Sequence, residues 1–402
     1  MKINNPERLL LFLILFFQFP FHSRVGDDWP NSQLTKFMQW RYGEMTPGMF
    51  LTMVWKAVEE WMNGQGRFFP VAGLQGQLTL YFFKSDLSLA IFYGIFICLT
   101  IFCWLTILDK LFDDKITGTY FLLISIVMIR FRGNFDPHIG FAQLVIWSFF
   151  WVCISILFLM KSIVRNQKVL YSVISGLIYF VALCQYEMSL IAFPVILLIS
   201  YTYFEQTNKT NIRGYLNRIS PLIIATLSYL IFVFGYLRPR ANPTGNYVSG
   251  FDFEKSSEIF FKTVFAVIPQ FGLGVKDIFL LPKQPSSVIM VAFLSLVYLI
   301  VLHKYFTSSV NYKNIKKSNR PKTSSLSIRL LSTRSLILVF LSMGILIVGP
   351  SLILAIQPNW WGYFQFGQTY LGIFYSEIGL SSIFAIALRS MNLQKQVKKN
   401  EK

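Results

Sequence analysis

Negative charge is scarce in this sequence: 19 Asp and Glu stand against 37 Lys and Arg, and charged residues of both signs make up only 14% of 402. A soluble globular domain carries about 25% charge, so an ordinary water-facing surface is excluded. Cysteine is scarce too. All four (Cys98, Cys103, Cys153, Cys184) fall within or at the end of apolar runs. That excludes a disulfide framework in the loops and a metal-ligand spacing, and they read as small buried apolar residues. There is no Walker or dinucleotide-type glycine loop, so no motif marks a nucleotide site. No internal repeat is evident, and charge inside the apolar runs is nearly absent. Both absences count against the paired repeats and midplane charges of a transporter.

What is present is hydrocarbon: 54% hydrophobic and 17% aromatic residues, with 41 phenylalanines. Several apolar runs approach or exceed the roughly 20 residues that cross a bilayer. The pattern predicts an all-α fold, a polytopic transmembrane helix bundle with about ten spans. These lie near 9–25, 87–108, 116–131, 141–160, 169–185, 188–204, 219–237, 287–303, 335–356 and 369–388. Residues 1–402 form one integral membrane domain. A net charge of +18 taken alone suggests nucleic acid, but the Lys and Arg residues cluster between apolar runs and form no single patch. They read as topology-setting charge and attraction to membrane lipids.

The N-terminal run from Leu9 is short and follows Lys2 and Arg8, as in a signal peptide, but Phe21-His22-Ser23-Arg24 offers no small-residue cleavage site. It reads as an uncleaved first span. With both termini cytoplasmic, 23 of the 37 basic residues fall in the inner segments, as the positive-inside rule requires. Two long outer loops result, 26–86 and 238–286, together with a flexible basic inner loop, 303–335. The short run 259–268 is expected at the interface or re-entering, because about ten residues cannot span. Asn208-Lys209-Thr210 matches a glycosylation sequon but falls on the inner side.

Chemistry-capable groups gather in the outer loops. Asp27 and Asp28, in Gly26-Asp27-Asp28-Trp29-Pro30, follow the first span directly. Adjacent carboxylates repel, and burial beside the membrane raises at least one pKa. Such a group can act as a general base on a hydroxyl or hold a divalent cation. The plainer reading is a polar helix stop. Further on, Met49, Phe50, Met53, Val54, Ala57, Val58, Trp61 and Met62 recur at helical spacing, with Thr52, Lys56, Glu59, Glu60 and Asn63 on the other face. This predicts an amphipathic juxtamembrane helix lying on the membrane surface. It leads into Gly64-Gln65-Gly66-Arg67-Phe68-Phe69-Pro70, where glycine permits close backbone approach and Arg67 offers a fork to an anion.

An acidic pair after the first span, followed by a juxtamembrane helix and the stretch Trp61 to Pro70, resembles the GT-C class of multi-spanning glycosyltransferases, in particular bacterial members that modify surface polysaccharides. The likeness covers residues 1–90, and the later spans by architecture alone. It implies a polyprenyl-phosphate sugar donor and a catalytic acid in the first loop, a role falling on Asp27 or Asp28. The large C-terminal soluble domain of some members is lacking, so their acceptor recognition does not carry over.

Other outer residues fit the same picture. Arg132, Asp136 and His138 share one short turn. They read as phosphate and acceptor contacts, or as a solvated turn whose arginines snorkel. Glu187 stands at the tip of a tight hairpin, where a charge near hydrocarbon needs a partner or a polar cavity. Arg238 and Arg240, at the end of a span, either clamp a leaving phosphate or anchor the interface. Glu377, inside the last span, has no role assigned by the sequence. Six of nine tryptophans lie in outer segments, as an interfacial belt explains.

The expectation is therefore an enzyme of the bacterial inner or plasma membrane. It moves a sugar from a lipid-linked donor to a glycan, lipid or protein acceptor on the outer face, with no nucleic acid partner. No organic cofactor is implied, and a divalent cation is compatible. Two alternatives stay open: a polysaccharide polymerase or ligase centred on loop 238–286, and a transporter or flippase for lipid-linked saccharide.

Overall fold

The computed structural model describes residues 6–17, 46–83, 85–129, 142–164, 168–207, 212–241, 252–267, 332–356 and 372–401. Most of these residues are helical, with no strand among them. In chain order they form α1 (Pro6–Phe16), α2 (Pro47–Gln65), α3 (Pro70–Phe82), α4 (Asp86–Phe112), α5 (Ile116–Met128), α6 (Ala142–Val164) and α7 (Lys168–Gln185). A 3₁₀ turn (Glu187–Ile191) leads into α8 (Ala192–Thr207), and α9 (Ile212–Leu230) continues as a π-helix (Ile231–Leu237). Then come α10 (Phe253–Ala266), α11 (Thr333–Ala355) and α12 (Ile373–Glu401).

Six helical stretches among the described residues are long and apolar enough to cross a bilayer: Leu87–Phe112, Leu144–Val164, Glu187–Thr207, Ile212–Leu237, Thr333–Ala355 and Ile373–Met391. The chain is an all-α integral membrane bundle. The expected spans 116–131 and 169–185 are present as shorter apolar helices, Ile116–Met128 and Val169–Gln185. Of the first span, the helical part described is α1, and 287–303 lies outside the described residues. The run expected to end at Pro269 belongs to α10, which starts earlier and buries Ile259 and Ala266 with Leu354 and Ile373.

Lipid gives helices no hydrophobic reason to associate, so close approach and interhelical hydrogen bonds hold such a bundle. Both are seen. A Cβ on Gly176 would lie 2.8 Å from the Pro221 backbone, and one on Gly379 would lie 2.8 Å from the Met343 carbonyl oxygen. Ser155 and Ser175 each donate to the other's carbonyl at 2.9 Å, joining α6 to α7. The Trp104 indole donates to Ser382 at 2.9 Å, joining α4 to α12. Such bonds average about 0.6 kcal/mol each, so the bundle depends on many of them.

One end of the bundle is clamped by charge. Arg8 of α1 reaches both carboxylate oxygens of Asp109 at 2.6 and 3.0 Å and donates to Thr119 at 2.8 Å and to the Lys115 carbonyl. Asp114 caps α5 through the Thr117 N–H at 2.9 Å and accepts from Arg389 of α12 at 2.5 Å. The helices at the two ends of the chain thus grip one turn, 113–115. Gly118 makes room: a Cβ there would run into the Asp109 carboxylate and lie 2.9 Å from Leu105 Cγ. Gly118→Ala is expected to destabilise the protein by about 1–3 kcal/mol, read from chemical unfolding in detergent micelles. In an open helix the same change stabilises by about 1 kcal/mol, so the sign alone tests this contact.

Candidate functional site

The stretch Glu187–Thr207 has 21 residues and is about 30 Å long at helical rise. Its far end approaches the clamp, where the Asp113 charge acts on Tyr203. Glu187 therefore stands at the opposite end of the bundle, where the sequence candidates Arg67, Arg238 and Arg240 are also found.

The local chain explains how Arg67 arrives there. Thr46 accepts from the Met49 N–H at 3.3 Å and Pro47 occupies the first turn, so α2 starts sharply. It buries Val54 and Val58, while Thr52, Lys56, Glu59, Glu60 and Asn63 are exposed. A Cβ on Gly73 of α3 would lie 3.0 Å from Val58 Cγ2, so the two helices touch at their smallest side chain. Gly66 then ends α2 at φ 63°, ψ 32°, with its N–H on the Met62 carbonyl and the Arg67 N–H on the Trp61 carbonyl. This left-handed cap is a glycine's conformation. Space requires glycine as well, because a Cβ would meet Arg238 Cα at 2.9 Å and Ala241 Cβ at 3.2 Å.

The Arg67 fork is occupied. Its Nη2 lies 2.8 Å from Glu187 Oε1 and its Nε donates to Oε2 at 3.2 Å, a two-pronged pair between residues 120 apart in sequence. Arg67 is 7% exposed and lies 4.3 Å above the Phe69 ring, with Trp61 and Tyr186 at 5.5 and 5.8 Å. The sequence offers this guanidinium to a ligand; in the structure Glu187 holds two of its nitrogens, and the pair fixes the α2–α3 turn to the α7–α8 break. That break is itself anchored. Tyr179 donates to the Ser189 carbonyl at 2.8 Å, and Ser189 donates to the Ala182 carbonyl at 3.1 Å.

Arg238 is the cation left over. It follows the π-helix, stacks 4.3 Å over Phe234, and has no acidic partner among the described residues. Arg240 is exposed, donates to the Tyr236 carbonyl at 3.0 Å and lies 3.8 Å over that ring. The site thus gathers three cations and one carboxylate at the edge of the bundle. That excess suits an anion, and the rings beneath each guanidinium hold it in place.

Asp27, Asp28, Arg132, Asp136 and His138 lie outside the described residues. Glu377 is buried in α12, away from any role assigned above. No group of three or more metal-ligating side chains occurs among the described residues. Sequence reasoning passed over Tyr229, whose position in an apolar helix marks it only as a core aromatic. Comparison with family models, curated proteins and solved structures finds no match for this chain.

Proposed function

We propose that the chain is a membrane glycosyltransferase that moves a sugar from a polyprenyl-phosphate donor to a glycan, lipid or protein acceptor on the extracytoplasmic face. The observation that carries this reading is the meeting of Arg67, Glu187 and Arg238 from three separate segments, beside the turn that ends α2. A surplus of held cations at the membrane edge suits a lipid-linked phosphate. In the proposed topology ten spans place both termini in the cytoplasm of a bacterial plasma membrane. The clamp of Arg8 and Arg389 then faces inward and the cation cluster outward.

The chemistry is a single displacement. Asp27 or Asp28 takes the proton of an acceptor hydroxyl, whose oxygen attacks the anomeric carbon. The bond from that carbon to the donor phosphate breaks, and the polyprenyl phosphate leaves with both electrons, its charge met by arginine. A divalent cation bound by the same acids is compatible with this step.

Transfer and transport are told apart by where label goes. Cells expressing the chain and given radiolabelled polyprenyl-phosphate sugar are expected to gain label in an outer-face glycan, lipid or protein. Labelled lipid moving across the membrane with nothing incorporated would replace the transferase with a flippase.

A further inference from the structure

Tyr229 is an oddity. It is 1% exposed, yet its hydroxyl has no hydrogen-bond partner among the described residues. An unsatisfied buried hydroxyl is destabilising, and phenylalanine would fill the same space without that cost. Most buried polar groups have partners, so an orphan calls for an explanation. The surroundings supply one, because the charges of Glu187, Arg67 and Arg238 all act on this phenol. A second orphan is near: Gln65 Oε1, in the turn that carries Gly66 and Arg67, is also buried without a partner.

The π-helix gives the arrangement its sense. In an uninterrupted α-helix, residues nine apart are turned by about 900°, which places them on opposite faces. Arg238 would then point away from Tyr229. Instead the Arg238 N–H bonds to the Val233 carbonyl, five residues back, at 2.9 Å. A π-turn accommodates one extra residue, which removes roughly one 100° step and leaves the two side chains within about a quarter turn. Gly66 then holds Arg238 in that orientation, its α-carbon lying against the Arg238 backbone. The backbone irregularity and the missing hydrogen bond point to the same place.

We propose that Tyr229 is a ligand-binding residue whose O–H donates to a phosphate oxygen, with Arg238 balancing that oxygen's charge. This rests on the donor reading above and extends it to a residue inside the span. The phosphate comes from the head of a polyprenyl phosphate or is free in solution. Arg67 and Glu187 are positioning residues, fixing the turn that presses on Arg238.

The test uses full-length protein in lipid nanodiscs, wild type against Tyr229→Phe. Binding is titrated with polyprenyl phosphate and, separately, with inorganic phosphate, and the ligand-free melting temperature is recorded. The variant is expected to bind polyprenyl phosphate at least about tenfold more weakly, the loss of one hydrogen bond to a charged group. Its ligand-free melting temperature is expected to stay level or rise, since the orphan hydroxyl is gone. Equal weakening toward inorganic phosphate would mean the phosphate group alone is recognised; weakening toward the lipid form alone would place the site in the membrane. Unchanged affinity with a lowered melting temperature would overturn the proposal and make Tyr229 structural, leaving the donor reading intact. No binding of either probe by wild type would overturn both.

Discussion

Asparagine in place of one first-loop acid is expected to slow sugar transfer by about 10²- to 10⁴-fold, the usual contribution of a positioned general base. Asparagine matches aspartate in size and still accepts a hydrogen bond, but it cannot take a proton. Adjacent side chains need not point the same way, so under the proposed mechanism one of Asp27 and Asp28 is expected to carry the base role and the other variant to keep most of its rate. The measurement is the initial rate with each variant, normalised to protein inserted in the membrane. Full rates in both Asp27→Asn and Asp28→Asn would remove the first-loop mechanism and move the search to loop 238–286.

Glu187→Ala is the second large effect, and it acts on structure. Deleting the carboxylate takes the Glu187 charge away from a buried Arg67 cation that has three aromatic rings around it. Breaking a buried pair from one side costs about 3–5 kcal/mol. The lower figure is expected here, because the Glu187 side chain retains 16% exposure. Arg67→Met in the Glu187→Ala background should recover much of that loss, since removing both charges avoids the stranded one. Chemical unfolding of the four proteins of this cycle measures the coupling. Additive losses would show that the pair does not hold the two turns together. Glu187→Gln, which keeps a hydrogen-bond acceptor, is expected to fall between wild type and Glu187→Ala.

The membrane class and the amphipathic helix α2 are legible in the sequence because both are periodic or compositional. Runs such as 87–108 and 335–356 announce α4 and α11, and the alternation between Val54, Val58 and the polar set Thr52, Lys56, Glu59, Glu60 announces α2. Gly66 is legible as a turn, since a glycine ending an amphipathic run is the usual left-handed cap. The partner of Arg67 is not legible. Glu187 is 120 residues away, and only the packing of α3 against α7 brings the two turns together. The π-turn is hidden for a different reason: Ile231-Phe232-Val233-Phe234-Gly235-Tyr236-Leu237 carries no signal that separates five-residue from four-residue bonding. Without that turn the relation between Tyr229 and Arg238 cannot be worked out from spacing, because α-helical counting places them on opposite faces.

The most direct test of the account is donor chemistry, measured with wild-type membranes, a mixed acceptor extract and two sets of radiolabelled donors. One set is polyprenyl-phosphate sugars and the other is the matching nucleotide sugars. The account predicts label transferred from at least one lipid-linked donor and from none of the nucleotide-linked ones, since the sequence carries no Walker or dinucleotide-type glycine motif and the described residues gather cations at one edge of the bundle. Transfer from a nucleotide sugar with the lipid-linked donors inert would contradict it.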